Sequence, residues 1–231
     1  MSIRPSLLAA TALMAAAVCA GVHAADTQTE NINVLERRTF SYSQIYARGI
    51  LPRSTTHELR LTLAYFAGSS WQQDALLDIA GRAAGILAQC GVLVSQIEIA
   101  RIDAPQHYHY FATLVSRELA FALQLPKPTA YFVSDTRQQP AFDAEAIGRG
   151  NSRTRPELAD TVWITRTARD PGIVLAHELA HVLMDSGEHV EEPENLMRTR
   201  TTAENTRLSP AQCGRLRATG TGNGLLHPVK N

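Results

Sequence analysis

His177-Glu178-Leu179-Ala180-His181 is the stretch of this 231-residue chain that decides its fold and chemistry. In an α-helix, residues four apart lie on the same face, so the imidazoles of His177 and His181 can bind one metal ion. Glu178 stands beside the first histidine and can reach a water molecule on that ion. Zinc lowers the pKa of a bound water to about 7, where a carboxylate can take its proton. The stretch therefore predicts a zinc site that activates water for attack on a peptide carbonyl.

The residues around this stretch favour a helix. Asp170 is a good N-cap, Pro171 suits the first helical position, and residues 160–167 before them are typical of a strand. Apolar residues surround the motif at mostly helical spacing: Ile173, Val174, Leu175, Leu179, Val182 and Leu183. The alternative is a surface helix that carries two histidines by chance. Two histidines and a glutamate on one face of a half-buried helix favour the metal site.

A catalytic zinc site usually has three protein ligands and one water, so a third ligand is expected. Gly187 can take a positive φ and end the helix in a sharp turn. His189 follows two residues later and is our prediction for the third ligand, although it can also be a solvated loop histidine. Zinc accepts oxygen as well as nitrogen, which leaves these carboxylates as competing ligands: Asp185, Glu188, Glu191, Glu192 and Glu194.

Glu194-Asn195-Leu196-Met197 lies shortly beyond the third histidine. The order of H-E-x-x-H, a glycine turn, a histidine and N-L-M resembles the metzincin zinc endopeptidases, and among them the matrixin-like bacterial members. The resemblance implies three zinc ligands, a general base, and a methionine in a tight Met-turn beneath the metal. In this chain those roles fall on His177, His181 and His189 for Zn²⁺, on Glu178 as the catalytic base, and on Met197.

The spacing departs from the family pattern, and the close resemblance covers about residues 170–218. That pattern would put glycine at 184 and histidine at 187, where this chain has Met184 and Gly187. Its histidine, His189, comes two positions later. We therefore expect the helix to run nearly one turn further, about 4.5 Å at 1.5 Å per residue, before the chain turns back.

The hydrophobic patterns predict an α/β (α+β) fold with a mixed sheet and helices packed on it. Strands are expected at residues 59–66, 92–102, 129–133 and 160–167, and helices at 71–89, 108–125, 171 onward and 210–217. The resemblance implies a twisted sheet with helices in an upper lobe, the zinc helix at the floor of a cleft, and a small C-terminal lobe with one helix.

The resemblance also implies how a substrate binds. An extended peptide would pair with the edge strand above the zinc. Residues 161–165 are the candidate edge strand, and Trp163 within it is expected in the core rather than lining the cleft. Residues 198–208 are expected to form one wall of the pocket, with a polar rim.

The predicted organisation has four parts. Arg4, the apolar run 7–20 and Val22-His23-Ala24 indicate a signal peptide over residues 1–24, so we expect export to the periplasm or secretion. Residues 25–56 are expected to be a leader or a pro-segment, with the polar residues 25–40 flexible and residues 41–56 irregular. Residues 57–218 are expected to be a metallopeptidase catalytic domain, and residues 219–231 a flexible tail. Residues 134–159 are expected to form a long loop.

The charge balance limits the partners. The chain has 22 Lys and Arg against 22 Asp and Glu. A balance this close to neutral argues against nucleic acid or an anionic membrane as the main partner. We expect a peptide or protein substrate, no membrane association of the mature form, and a monomer.

Two cysteines remain after removal of the signal peptide, Cys90 and Cys213. In an oxidising compartment they can form a disulfide, with two buried free thiols as the alternative. A bridge would close a loop of about 120 residues and stabilise the protein by about 4–5 kcal/mol in the chain-entropy model.

The function predicted from these residues is an exported zinc endopeptidase that uses a Glu-activated water. Two alternatives stay open: an exported zinc-binding module without turnover that binds peptides or surface polymers, and a hydrolase that acts on cell-wall peptides. The intact Glu178 favours hydrolysis, because non-catalytic relatives of such enzymes often lose that carboxylate.

Overall fold

A computed structural model describes residues 31–46, 54–138 and 142–229. The predicted signal peptide, residues 1–24, lies outside the described residues. None of the helices in the described part of the chain is long and apolar enough to span a bilayer.

The chain alternates between strands and helices. The strands are β1 (Asn33–Ser41), β2 (His57–Phe66), β3 (Val92–Asp103), β4 (Tyr110–Phe111), β5 (Thr129–Phe132), β6 (Asp135–Thr136), β7 (Ala144–Ile147), β8 (Thr161–Ile164) and β9 (Leu226–Pro228). The helices are α1 (Tyr42–Ile45), α2 (Gln73–Leu87), α3 (Thr113–Leu123), α4 (Pro171–Met184) and α5 (Pro210–Gly222).

In the described part of the chain, seven strands form one mixed sheet in the order β1-β3-β2-β5-β8-β7, with β9 paired to β2. The pairs β3–β2, β2–β5 and β5–β8 are parallel, whereas β1 and β7 run antiparallel to their neighbours. Strands β4 and β6 form a separate two-stranded parallel sheet. The α/β fold class predicted from the sequence is confirmed.

Both faces of the sheet are covered, so every residue of β5 and β8 and residues 61–66 of β2 are buried. Alternate residues of β2 point to opposite faces: Leu61 and Leu63 join the core on the α2 and α4 side, and Phe66 joins the core that includes α3. Trp163 is fully buried in the second core and stacks on Tyr131 with ring centroids 4.2 Å apart. The prediction that Trp163 belongs to the core is confirmed.

Helix α4 begins where the sequence predicts. The Asp170 carboxylate accepts a hydrogen bond from the Ile173 N–H at 3.1 Å, and Pro171 is the first helical residue. From Gly172 onward every residue of α4 except Glu178 is buried, because the helix packs between the sheet, α2 and α5. A helix enclosed in this way is held rigidly, which suits a scaffold for a metal site.

The prediction that residues 25–40 are flexible is wrong for residues 31–40, the part of that range that the structure describes. Strand β1 pairs antiparallel with β3 along almost its whole length, and α1 follows directly. Exposed and half-buried residues mostly alternate along β1, as expected of an outer strand with one face in solvent. Most of its polar residues are exposed on that solvent face. Because the segment is rich in polar residues, its composition did not indicate a strand.

The predicted flexible tail is also wrong over its described part. Helix α5 continues to Gly222, five residues beyond the predicted end, and β9 then pairs with residues 57–59 of β2. The Leu226 side chain is buried against Gly220, where an added Cβ would lie 2.8 Å from Leu226 Cδ1. The tight packing between Gly220 and Leu226 brings the end of the chain into the core.

The candidate edge strand is corrected as well. Strand β7 lies within the predicted loop 134–159 and flanks β8, so β8 is an interior strand and β7 is the edge. Four residues with two alanines and a glutamate carry a weak strand signal. The pairing with β8 stabilises β7 as a strand.

Cys90 and Cys213 form a disulfide, with Cα atoms 4.9 Å apart. The bond joins the end of the α2 segment to the first turns of α5. It therefore fixes the C-terminal helix to the sheet-and-helix part of the fold.

Candidate metal centre

The structure brings His177, His181 and His189 together at one point. The Nε2 atom of His181 lies 2.9 Å from Nε2 of His177 and 3.2 Å from Nε2 of His189. The candidate ligand atoms of all three lie within 4.8 Å of one another. Across residues 31–46, 54–138 and 142–229, no other group of three such side chains converges in this way.

The chain turns back toward the third histidine at Asp185. Helix α4 ends at Met184, and Asp185 takes the left-handed conformation with φ of +46°. The predictions that Gly187 makes this turn and that the helix runs nearly one turn further are therefore wrong. Aspartate tolerates positive φ better than most residues, and here its Oδ1 also accepts the Gly150 N–H at 3.0 Å.

Backbone carbonyls orient two of the three imidazoles. Nδ1 of His177 lies 2.6 Å from the Leu196 carbonyl oxygen, and Nδ1 of His181 lies 2.6 Å from that of Ser186. A carbonyl only accepts, so each Nδ1 must carry the hydrogen. In a neutral ring this leaves an unprotonated lone pair on Nε2, pointing at the other histidines.

Burial disfavours the charged form of both rings. Burial lowers the pKa of His177 below its usual 6.5. Burial, with His177 nearby, lowers the pKa of His181 to about 4. Lone pairs that face each other at 2.9 Å repel unless a positive charge lies between them, so the cluster has the electronic character of a cation site.

The donor set fits zinc. Imidazole nitrogens bind zinc at 2.0–2.1 Å, and in a tetrahedral arrangement they are about 3.3 Å apart. The two Nε2 separations of 2.9 and 3.2 Å lie within a few tenths of an ångström of that value. His177 and His181 are buried while His189 is exposed, so the cluster opens toward solvent on one side.

The five carboxylates that competed as ligands lie outside this cluster and contact other groups. Asp185 accepts from Gly150, Glu192 accepts from Asn195, and the other three form ion pairs. Those pairs are Glu188 with Arg215, Glu191 with Arg198, and Glu194 with Arg207.

Glu178 lies between the histidines and the edge strand. It is half-buried, and the backbone N–H of Ala146 on β7 donates to its carboxylate. Burial, assisted by the nearby Glu145 charge, raises the pKa of Glu178 to about 8. A cation held by the histidines would favour the ionised carboxylate and oppose this rise. An ionised carboxylate at this position, beside the histidines and in the cleft, can act as a general base.

Met197 is buried in a tight turn behind His177. Its backbone N–H donates to Oδ1 of Asn195 at 2.9 Å, and its carbonyl accepts the Val190 N–H at 2.9 Å. The preceding residue, Leu196, supplies the carbonyl that binds His177. The sequence indicated Met197 as a residue of the site. It did not indicate the Leu196 and Ser186 carbonyls, because every residue type has a backbone carbonyl.

A cleft of about 1020 Å³ lies over the cluster. Its lining includes residues 142–146, which contain most of β7, several residues of α4, and a wall of residues 199–204. The wall falls within the predicted range 198–208 and is polar except for Ala203.

The edge strand directs backbone groups toward this cleft. In an antiparallel pair, alternate residues bond the neighbouring strand. The carbonyl of Ile147 accepts from Asp160 on the β8 side, so Ala146 and Ala144 direct their backbone groups away from β8. Both alanines line the cleft.

The sequence matches no model of a known protein family and no curated protein. Among solved structures, the fold is similar to the metalloproteinase-II of Bacteroides fragilis, with a TM-score of 0.45 and 18% sequence identity. The match covers 73% of this chain and 55% of that one, so it spans little more than half of the other protein's chain.

Proposed function

We propose that this protein is a zinc-dependent endopeptidase that hydrolyses peptide bonds. The observation that carries the proposal is the convergence of three histidine Nε2 atoms beside a half-buried glutamate in an open cleft. In two of these histidines a backbone carbonyl binds Nδ1. His177, His181 and His189 would hold the metal, and Glu178 would be the general base.

In the proposed hydrolysis, residues of the cleft would support each step. Zinc, when bound, supplies a Lewis acid for the peptide carbonyl and lowers the pKa of the attacking water. Glu178 takes a proton from that water as it attacks the carbonyl carbon, and later delivers the proton to the leaving amine. The Leu196 and Ser186 carbonyls keep the rings of His177 and His181 aimed at one point throughout.

The substrate would lie extended along β7. The backbone groups of Ala144 and the carbonyl of Ala146 can pair with a peptide as an added strand, while wall residues 199–204 contact its side chains. Pairing of this kind uses the middle of a substrate and neither of its ends. We therefore propose cleavage of internal bonds.

We also propose that the protein is exported, to the periplasm or beyond. The motif at residues 1–24 is the basis of this proposal, and the Cys90–Cys213 disulfide supports it, because such bonds persist in oxidising compartments.

Substitution of Glu178 tests the enzymatic proposal. Purified wild type should cleave casein or quenched peptides in a chelator-sensitive manner, with peptidoglycan offered in parallel as the alternative substrate. Glu178→Gln should keep stoichiometric zinc by elemental analysis and lose at least 100-fold in rate, the lower end of general-base contributions. A Glu178→Gln variant that retains both zinc and full activity would show that another group activates the water. Zinc binding by a wild type that cleaves nothing would favour the non-catalytic module.

A further inference from the structure

We propose that Asn195 and Gln212 are positioning residues for the metal centre. Their side-chain amides pair and hold the turn of residues 195–197, whose carbonyls fix His177 and the segment of His189. The inference rests on the proposed function insofar as it takes the histidines to be metal ligands.

The two amides bind each other reciprocally. Nδ2 of Asn195 donates to Oε1 of Gln212 at 3.1 Å, and Nε2 of Gln212 donates to Oδ1 of Asn195 at 3.2 Å. Asn195 is only 6% exposed. A buried amide with partners on both atoms adopts one orientation, because rotation would leave polar atoms unpaired.

The turn that the amide pair fixes also positions two of the histidines. Oδ1 of Asn195 also accepts the Met197 N–H at 2.9 Å, which closes the turn. Within it, the Leu196 carbonyl binds Nδ1 of His177 at 2.6 Å. The Met197 carbonyl binds the N–H of Val190, the residue after His189, at 2.9 Å. One turn thus holds the ring of His177 and the backbone N–H of the residue that follows His189.

Helix α5 is a rigid anchor for this arrangement. Oε1 of Gln212 also accepts the Ser209 N–H at 2.7 Å, and the Ser209 hydroxyl accepts the Gln212 N–H at 3.2 Å, which completes a capping box. The next residue, Cys213, is joined to Cys90 by the disulfide. The amide of Gln212 is therefore fixed relative to both its own helix and the sheet.

The turn keeps a second set of bonds that does not involve these side chains. The Leu196 N–H donates to the Arg207 carbonyl at 2.6 Å, and the Arg207 N–H donates to the Glu194 carbonyl at 2.9 Å. Loss of the amide pair should therefore loosen the turn without unfolding it.

Loss of a partner that orients a ligand typically costs 10–100-fold in metal affinity, and we expect a loss in this range for Asn195→Ala.

The test compares zinc dissociation constants, measured by competition with a chromophoric chelator, for the wild type and three variants. Asn195→Ala removes the pair. Gln212→Glu keeps the acceptor for Ser209 but places an acceptor against Oδ1 of Asn195. Asn205→Ala is the matched control, since Asn205 is also a buried asparagine (2% exposed) whose Nδ2 donates to a backbone carbonyl, that of Arg200, but it is not bonded to the turn.

Asn195→Ala and Gln212→Glu should weaken zinc binding at least tenfold, and Asn205→Ala less than threefold. The absorption spectrum of the cobalt-substituted protein should change in the first two variants only. Equal affinities in all four proteins, or equal losses in Asn195→Ala and Asn205→Ala, would overturn the inference. If Asn195→Ala does not fold, Gln212→Glu decides alone. A wild type that binds no zinc would instead refute the proposed function.

Discussion

Reduction of the Cys90–Cys213 disulfide should remove a large part of the stability of this protein. The two cysteines are 123 residues apart. In the chain-entropy model, release of a loop of that length lowers the free energy of unfolding by about 5 kcal/mol at 25 °C. Domains are typically stable by about 5–15 kcal/mol, so the reduced protein should be close to marginal stability.

Urea unfolding with and without a thiol reductant measures this effect. With a slope of about 2.5 kcal/mol per molar urea, a loss of about 5 kcal/mol lowers the midpoint by about 2 M. The double variant Cys90→Ala/Cys213→Ala is the control, because it should unfold at the lower midpoint in both conditions. Identical midpoints for the oxidised and reduced wild type would refute the loop-entropy reasoning.

Two further predictions concern packing and pH. Gly148→Ala should lower the free energy of unfolding by about 1–3 kcal/mol, because its Cβ would lie 2.7 Å from Oδ1 of Asp185. The control in thermal unfolding is Gly187→Ala, whose Cβ meets nothing within 4 Å. Equal destabilisation by the two substitutions would contradict the argument. Burial lowers the pKa of Lys127 to about 8, so the unfolded chain binds more protons than the folded one between pH 8 and 10.5. Stability carried by this lysine should therefore rise with pH across that window; Lys127→Met should remove this rise, and parallel stability curves for the two proteins would contradict it.

Local rules predicted the part of the fold where several signals agree. Helix α4 has an aspartate cap, a proline at its first position and apolar residues at helical spacing, and it forms at the predicted place. The long strands β2 and β3 follow apolar or alternating patterns and also lie where expected. The same patterns identified the three histidines that the structure brings together.

Elements that depend on a distant partner were missed. Strand β7 has little strand propensity of its own and exists through its pairing with β8. Strand β1 is polar on its solvent face, and β9 is only three residues long. The left-handed turn at Asp185 is supported by Gly150, 35 residues earlier in the chain. No local pattern encodes such contacts.

Anomalous scattering at the zinc absorption edge, from crystals grown with zinc, tests the central claim most directly. The account predicts one strong peak at bonding distance, about 2.0–2.1 Å, from Nε2 of His177, His181 and His189, with Glu178 beside it but not bound to it. A peak held by carboxylates elsewhere, or none at these three nitrogens in zinc-saturated crystals, would contradict it.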